Sequence, residues 1–330
     1  MTTDQSHPEV YTSTGTLPDA GRVDAAVAQA HRQFAGVADG AVSDVYPALA
    51  RVDPALFGVC LVGVDGRQSS VGDADHEFTI MSVSKPFVFA LVCDLLGPQT
   101  VRDRIGVDAT GLPFNSLAAV ERSSDGRTNP MVNSGAIATT SLAPGDSPDA
   151  RWAFLKDGLS RFAGRDLSLD EEVVGSALRT NLRNRAIASL LAARGRIYCD
   201  PDDAITLYTQ QCSLAVSAKD LAVMGATLAD GGVNPVTGRR VVAASVCHYA
   251  LAVMATGGMY ESSGQWLYEV GLPAKSGIGG GITVVSPGKG GLGVFSPPLD
   301  AYGNSVRGTL AARYLSLAAG LDLFASAPAR

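Results

Sequence analysis

The sequence predicts an α+β fold in which one sheet is assembled from both ends of the chain. Continuous apolar runs typical of buried strands occupy residues 57–64 near the start and residues 281–285 and 291–295 near the end. Between them, from about residue 95 to residue 264, apolar residues recur mostly at helical spacing. We therefore expect a helical segment inserted into a sheet-containing domain.

These patterns divide the chain into three parts. Residues 1–20 are polar, which predicts a disordered arm. Residues 21–96 and 265–330 are assigned to the α/β sheet domain, and residues 97–264 to a helical domain. The length of 330 residues is consistent with about two domains of ordinary size.

The predicted sheet domain opens with a helix and a hairpin. The helix is indicated by five apolar residues at helical spacing, namely Val23, Val27, Ala30, Phe34 and Val37. Asp65-Gly66 separates the first strand from a second β-like stretch that ends at residues 76–81, which predicts a buried hairpin. At the other end of the chain, a Ser-Pro-Gly turn separates the two remaining strands.

Within the helical segment, stripes and caps mark individual helices. One apolar stripe, which Gly164 is expected to close, consists of Trp152, Leu155, Leu159 and Phe162. The acidic residues at 200–203 could be taken for a metal cluster, but Pro201 favours a helix N-cap. Residues 217–220 are typical of a capping box.

Composition and charge argue against several classes of protein. A net charge of −6 and a pI near 5.2 are unfavourable for nucleic-acid binding, which needs a basic face. The N-terminus lacks the pattern of a signal peptide, and the longest apolar stretch, residues 86–96, is far shorter than the ~20 residues of a membrane helix. Five cysteines without a C-x-x-C motif predict buried, reduced thiols. We therefore expect a cytoplasmic protein that binds neither nucleic acid nor membrane.

Sequence motifs for cofactors are missing. The four histidines are too scattered to suggest a zinc site, and the glycine runs match neither the P-loop nor the dinucleotide-binding pattern. A Ser-His-Asp triad is not excluded by spacing, but the G-x-S-x-G elbow does not occur. We expect no metal and no cofactor.

Lysine is rare in this chain, so the context of each lysine is informative. Only five lysines occur, and the pattern Ser-x-x-Lys arises twice, at residues 82–85 and 286–289. The second copy lies in a Pro-Gly turn, where the spacing has no defined geometry. The first copy joins a strand to an apolar helix, and Pro86 restricts it to the helix start. Ser82 and Lys85 should then share one face, while Ser84 points elsewhere.

A serine is a weak nucleophile until a base removes its proton. For Lys85 to be that base, its pKa must fall from about 10.4 towards 7, which apolar surroundings and a second nearby cation both favour. The alternative is a helix-start lysine that extends to solvent. Lys275-Ser276-Gly277 favours the first interpretation, because a Lys-[Ser/Thr]-Gly strand facing a Ser-x-x-Lys helix occurs in the penicillin-recognising serine hydrolases.

Several long motifs resemble the serine-dependent glutaminases, which share the β-lactamase/transpeptidase-like fold. The resemblance runs from about residue 40 to residue 306 and includes FTIMSVSKPF, TGLPFNS, NPMVNSGAIATTSL, LRNRAIASLL, LYTQQCSLAVSAKDLAVMGATLADGGVNPVTG, GGMY, GLPAKSGIGGGI and FSPPLDAYGNSVRG. It implies a mainly antiparallel sheet flanked by helices, with an inserted all-helical domain. It also implies a small-molecule substrate, hydrolysis of the side-chain amide of L-glutamine to L-glutamate and ammonia, and a homodimer or homotetramer.

The resemblance assigns the central chemical steps to three residues. Ser82 would attack the amide carbon, and Lys85 would take the proton from its hydroxyl. The backbone N–H groups of Ser82 and Ile278 would hold the oxyanion, a contribution of about 2.7–4 kcal/mol per donor.

Four further residues match the family's active site. Tyr208 and Tyr260 match tyrosines that assist proton transfer to the leaving ammonia and back from water, and Asn133 and Asn184 match substrate-binding asparagines. Without the resemblance, they would be interpreted as a core-facing helix tyrosine, a buried tyrosine, a loop asparagine and a helix cap. The substrate-binding set implied by the resemblance is Ser82, Asn133, Asn184, Tyr208, Tyr260 and Ile278.

Three positions depart from the family's pattern where it contacts substrate. Val45 stands in place of a substrate-contacting tyrosine, with Tyr46 displaced by one residue, and Met81 replaces the glutamine before the nucleophile. Ala177 replaces a glutamate that pairs with the substrate's α-ammonium group, a contact of about 1.5–3 kcal/mol. Two alternatives therefore stay open: a serine amidohydrolase of altered specificity, or a catalytically impaired amino-acid-binding relative.

Overall fold

The structure is a computed structural model and describes residues 15–326. Of the predicted arm at residues 1–20, residues 1–14 lie outside the described part. The first helix begins at Ala20, where the Asp19 carboxylate accepts a hydrogen bond from the backbone N–H of Arg22. The helix ends at Phe34, so Val37 lies beyond the stripe that it was predicted to extend.

One five-stranded antiparallel sheet joins the two ends of the chain, which confirms the predicted fold class. The strands of the structure are β1 (Gly58–Gly63), β2 (Gln68–Gly72), β3 (Phe78–Thr79), β4 (Ala215–Val216), β5 (Ala274–Ser276), β6 (Gly281–Ser286) and β7 (Gly290–Phe295). The order in the large sheet is β2-β1-β7-β6-β5, so β1 and β7, from opposite ends of the sequence, are hydrogen-bonded neighbours.

The predicted hairpin forms, but it is shorter and less buried than expected. β1 pairs with β2 and is buried throughout, whereas β2 alternates between exposed and covered residues because it is the edge strand. The stretch at residues 76–81 does not extend β2. It contributes β3, which pairs with β4 in a separate two-stranded sheet and leads directly into the segment that contains Ser82.

Helices cover both faces of the sheet and fill the middle of the sequence. They are α1 (Ala20–Phe34), α2 (Lys85–Leu96), α3 (Pro98–Ile105), α4 (Ala118–Arg122), α5 (Asn133–Thr140), α6 (Pro148–Ala163), α7 (Glu171–Thr180), α8 (Leu182–Ala193), α9 (Pro201–Cys212), α10 (Ala218–Ala229), α11 (Ala244–Gly257), α12 (Ser263–Val270) and α13 (Val306–Ala318). α1 and α13 pack together with one face of the sheet, while α10 packs on β1, β6 and β7.

Glycines in β7 allow α10 to approach the sheet closely. A Cβ atom at Gly291 or Gly293 would overlap backbone atoms of α10, so a side chain there would force the helix away. This close packing accounts for part of the glycine enrichment near the end of the chain. It also means that α10, although it lies within the segment 97–264, packs on the sheet. The division at residues 97 and 264 therefore stays a prediction.

Several of the inserted helices surround α2, which is buried on nearly all sides. From Lys85 to Cys93, every residue of α2 is buried, and α5, α6 and α11 pack around it. The predicted caps are confirmed by hydrogen bonds. Asp200 caps α9, residues 217–220 form a capping box on α10, and Gly164 ends α6 with φ 77°.

In the described part of the chain, no single helix has both the length and the apolar character to span a membrane. Met81–Leu96 and Pro98–Ile105 meet that criterion only as a pair that is bent by 120°.

Candidate active site

The turn that carries Ser82 connects β3 to α2 and has an unusual backbone. Met81–Ser84 form a 3₁₀ turn, and α2 begins at Lys85 with Pro86 in its first turn. Met81 has φ 48°, which lies in the left-handed region that non-glycine residues avoid. Among described non-glycine residues, only Met81 and Tyr260 have positive φ, and both belong to this site. Such backbone strain, of about 1–3 kcal/mol, is typical of functional sites.

Lys85 lies at the start of α2 with its amine completely buried. Its Nζ donates to Oδ1 of Asn133 over 2.8 Å and to the carbonyl oxygen of Met131 over 3.3 Å. Burial lowers the pKa of Lys85 from 10.5 to about 7, with a small opposing effect from Cys212. A lysine of this pKa is largely neutral just above pH 7, so its amine is able to accept a proton.

Asn133 connects three of the predicted site residues. Its Oδ1 accepts hydrogen bonds from Lys85 Nζ and, over 3.3 Å, from the hydroxyl of Tyr208. Its Nδ2 donates to Oδ1 of Asn184 over 3.0 Å. The residue is the first of α5 rather than a loop asparagine, and Asn184 lies inside α8 rather than at its cap. The positions of both asparagines thus differ from those expected without the resemblance to the glutaminase family.

Tyr260 and Lys275 form a second polar group beside the turn. The Tyr260 hydroxyl donates to the carbonyl oxygen of Ser276 over 3.1 Å, and Lys275 Nζ donates to the same oxygen over 2.6 Å. Lys275 Nζ also donates to Gly258 O over 2.8 Å and lies 4.1 Å from the centroid of the Tyr260 ring. Burial and the nearby Lys85 both lower the pKa of Lys275, whereas burial raises the pKa of Tyr260.

A cavity of about 160 Å³ opens next to Ser82. Five of the seven predicted site residues line it, namely Ser82, Asn133, Asn184, Tyr208 and Ile278. Lys85 lies behind this wall and contacts it through Asn133. Tyr260 lines a neighbouring cavity of about 280 Å³, and Phe114, which packs on its ring at 4.6 Å, lines both cavities.

All three departures from the family's pattern face the first cavity. Val45, Met81 and Ala177 line it, and Tyr46 lines it as well, so the displaced tyrosine does reach the site. Burial raises the pKa of Tyr46 to about 12, which keeps its hydroxyl protonated. No aspartate or glutamate is among the described residues that line this cavity, and Arg183 is its one charged lining residue.

Other residues of the site were not singled out in the sequence. Cys212 lines the cavity, and burial raises the pKa of its thiol. Gln211 lies behind the wall and donates to Ser84. Both follow Tyr208 on α9 by three or four residues, so helical spacing from Tyr208 was the available signal. Among described residues, no group of three or more histidine, cysteine, aspartate or glutamate side chains is placed to hold a metal ion.

Comparisons with known proteins agree on one family. The family model described as Glutaminase matches residues 40–324. Glutaminase 2 of Yersinia pestis is 62% identical over 99% of this chain and 97% of its own length. A glutaminase of Mycobacterium ulcerans strain Agy99 is 48% identical over 92% of this chain and 95% of its own length.

Solved structures extend this agreement to the fold. A structure described as probable glutaminase ybaS superposes with a TM-score of 0.92 at 45% identity, covering 94% of this chain and all of the other. A Bacillus glutaminase superposes with a TM-score of 0.83 at 31% identity, covering 91% of this chain and 99% of the other. This chain therefore belongs to the glutaminase family of hydrolases, in its serine-dependent class with the β-lactamase-like fold.

Proposed function

We propose that this chain hydrolyses the side-chain amide of L-glutamine to L-glutamate and ammonia through an acyl-enzyme on Ser82. The observation that carries the proposal is the buried Lys85 amine, three residues after Ser82, whose pKa is lowered to about 7. A general base works best when its pKa is close to the working pH. The apolar surroundings of α2 supply this shift without a neighbouring acid.

In the first half of the reaction, Ser82 Oγ forms a bond to the amide carbon while Lys85 takes the hydroxyl proton. The backbone N–H groups of Ser82 and Ile278 stabilise the oxyanion that results. The C–N bond then breaks, and Tyr260 and Tyr208 assist the transfer of a proton to the departing nitrogen, which leaves as ammonia. In the second half, water attacks the acyl carbon, its proton returns through the same groups, and Ser82 is released with L-glutamate.

Substrate orientation is assigned to the asparagine pair. Asn133 and Asn184 are joined by a 3.0 Å hydrogen bond on the cavity wall, and each retains donor or acceptor capacity for a substrate. Because Asn133 also binds Lys85 Nζ, a substrate that contacts this amide would be placed close to the base.

A chemical trap and an ammonia-release assay test the proposal together. An electrophilic glutamine analogue should form a covalent adduct at Ser82, identified by mass spectrometry of the digested protein. Ammonia release from a small panel of amides should be lost in Ser82→Ala. Turnover of Ser82→Ala at the wild-type rate would exclude the acyl-enzyme, and ligand-induced stabilisation without ammonia release would identify an impaired amino-acid-binding relative.

A second candidate is an amidohydrolase whose substrate lacks a free α-ammonium group. The absence of any carboxylate among the described lining residues favours it, because an ammonium group there would have no charged partner while Arg183 offers one to a carboxylate. N-acetyl-L-glutamine, in which the amine is acylated, would then be hydrolysed as well as or better than L-glutamine.

Ala177→Glu tests this candidate because Ala177 lines the cavity and is only 2% exposed. The substitution should lower KM for L-glutamine about 10- to 150-fold, as expected for a charge-assisted contact of about 1.5–3 kcal/mol, and raise KM for the acetylated amide. Ala193→Glu, at an exposed position of the neighbouring α8, is the matched control. If KM for both amides is unchanged in a folded Ala177→Glu protein, Ala177 does not determine specificity.

We also propose a cytoplasmic location and a homodimer or homotetramer. The five cysteines are all free thiols in the structure, as is usual in a reducing compartment. Sedimentation at several protein concentrations would measure the oligomeric state, and a monomer throughout would contradict the proposal.

A further inference from the structure

A chain of hydrogen bonds runs from α5 through α9 to the turn that carries Ser82. Thr140 Oγ1 donates to Gln211 Oε1 over 2.8 Å. Gln211 Nε2 then donates to Ser84 Oγ over 3.2 Å, and Ser84 Oγ donates to the carbonyl oxygen of Met81 over 2.8 Å. These three side chains come from three separate elements, none adjacent in sequence to another.

The three side chains of this hydrogen-bond network are buried, and the donors follow one another from Thr140 towards Met81. Ser84, Thr140 and Gln211 are each 0% exposed. The Ser84 hydroxyl has a single proton, which it donates to Met81 O, so its lone pairs are free to accept from Gln211. Hydrogen bonds in such a low-dielectric interior are strong, and breaking one leaves its partner unsatisfied.

The hydrogen-bond network ends at Met81, a residue with a strained backbone. Met81 has φ 48° and immediately precedes Ser82, and its carbonyl oxygen accepts the last hydrogen bond. A strained conformation persists only where its surroundings hold it. The same elements carry other site residues, because α5 begins with Asn133 and α9 contains Tyr208. The network therefore connects the nucleophile's turn to the helices that present its partners.

We propose that Gln211, acting through Ser84 and with Thr140 behind it, is a positioning residue that holds Ser82 Oγ in its reactive location. This inference rests on the proposed role of Ser82 as nucleophile. None of the three side chains lines the cavity, so their effect falls on the geometry of the reaction and not on substrate contacts.

Two neighbouring threonines of α5 provide a matched pair of variants. Thr139 Oγ1 donates to Gly135 O over 2.7 Å, and the single hydroxyl proton of Thr140 is shared between Gln211 Oε1 at 2.8 Å and Ala136 O at 2.9 Å, so each hydroxyl contacts the carbonyl four residues earlier. Both are buried, and of the two only Thr140 is hydrogen-bonded to Gln211. Thr139→Val and Thr140→Val therefore make the same chemical change, but only Thr140→Val removes a hydrogen bond of the network.

The experiment measures kcat, KM and thermal unfolding for Thr139→Val, Thr140→Val, Thr140→Ser and Gln211→Leu. We expect kcat to fall about 10- to 100-fold in Gln211→Leu and Thr140→Val, with KM within about twofold, as for a displacement of the reacting atoms by about 1 Å. Thr140→Ser, which keeps the hydroxyl, should restore kcat. Thr139→Val should keep wild-type kcat even where its melting temperature falls as far as that of Thr140→Val.

Two results separate failure of this inference from failure of the proposed function. If Ser82→Ala is inactive while Thr140→Val and Gln211→Leu keep wild-type kcat, the positioning role is wrong and the nucleophile stands. The same conclusion follows if Thr139→Val and Thr140→Val lose kcat equally. If Ser82→Ala itself retains full turnover, the proposed function fails, and the inference fails with it.

Discussion

The two copies of the four-residue pattern Ser-x-x-Lys adopt different local structures in this molecule, and their lysines have different partners. In residues 82–85 the pattern forms a 3₁₀ turn that enters α2, and the Lys85 amine is held by a side-chain amide and a carbonyl. In residues 286–289 it forms the turn between β6 and β7, where Lys289 Nζ donates to Gly320 O over 3.0 Å. The two lysines are both buried, at 1% and 8% exposure. Burial of the lysine therefore does not distinguish the two copies.

The serines show the difference most clearly. Ser286 Oγ donates to the carbonyl oxygen of Leu321 over 2.8 Å, so its hydroxyl ties the β6–β7 turn to the segment after α13. Ser82 instead lines the cavity of about 160 Å³. Burial lowers the pKa of Lys289, but Asp322 opposes this shift, whereas among the described residues no aspartate or glutamate opposes the shift at Lys85. The two copies therefore differ in whether the serine lines a cavity and in whether an aspartate opposes the lowered pKa of the lysine.

The largest expected effect comes from exchanging each serine for alanine. Ser82→Ala should lower kcat at least about 1,000-fold, because it removes the nucleophile that we propose. Ser286→Ala should leave kcat unchanged and lower the free energy of unfolding by about 1 kcal/mol, because Leu321 O loses its donor. Ammonia release and urea unfolding measure the two effects. Comparable losses of kcat in both variants would remove the distinction between the two patterns.

A smaller effect is expected from the lysines and is seen best as a pH profile. Because only the neutral amine of Lys85 accepts a proton, kcat/KM should rise about tenfold per pH unit below pH 7 and level off above it. Lys289→Met should keep this profile, whereas Lys85→Met should lose about 100-fold or more in kcat/KM. A wild-type profile that is flat from pH 5 to 8 would contradict the role of Lys85.

The pH dependence of the free energy of unfolding tests the lowered pKa of Lys85 independently of catalysis. The folded protein releases the Lys85 proton near pH 7, but an unfolded lysine keeps it until about pH 10.4. Between these values the unfolded state binds more protons, so the free energy of unfolding of the wild type should rise with pH relative to Lys85→Met. Thermal unfolding of both proteins at pH 7 and pH 9.5 measures the difference, and an opposite trend would contradict the depressed pKa.

The smallest effect is expected on stability, from the backbone of the Ser-x-x-Lys copy at residues 286–289. Gly288 has φ 76° with open space where a Cβ atom would lie, so Gly288→Ala should cost about 1 kcal/mol of stability from left-handed strain alone. Gly264, within α12 and also surrounded by open space, is the matched control. Gly264→Ala should stabilise by about 0.5–1 kcal/mol. Both variants should keep wild-type kcat, and equal shifts of both in thermal unfolding would contradict the explanation.

Much of the local structure was predictable because it depends on neighbours in sequence. The cap at Asp200, the capping box at residues 217–220 and the end of α6 at Gly164 all follow from short patterns. Pro86 lies in the first turn of α2, and Ser82 lies just before that helix, as Pro86 predicted for the same reason. The fold class was predictable because the apolar runs assigned to strands lie near the two ends, while apolar residues between them recur mostly at helical spacing.

Long-range pairing was the part that escaped prediction. β3 pairs with β4, which is more than 130 residues away, so the stretch at residues 76–81 could not be separated from the first hairpin. Gln211 contacts Ser84 across 127 residues, and Tyr46 enters the cavity from a segment without regular pattern. No periodicity within a window of ten to twenty residues records such contacts.

The sequence by itself determined the fold class, the caps at Asp200 and at residues 217–220, the two Ser-x-x-Lys patterns and the motifs of the glutaminase family. Only the tertiary structure decided which of the two lysines lies behind the wall of a cavity with a pKa lowered to about 7, and therefore which one we propose as the base. Lys85 meets Asn133 and Met131, 48 and 46 residues further along the chain, in an interior without a neighbouring acid. The physical reason is that a pKa depends on solvation and on nearby charges, and both are set by residues that are distant in sequence.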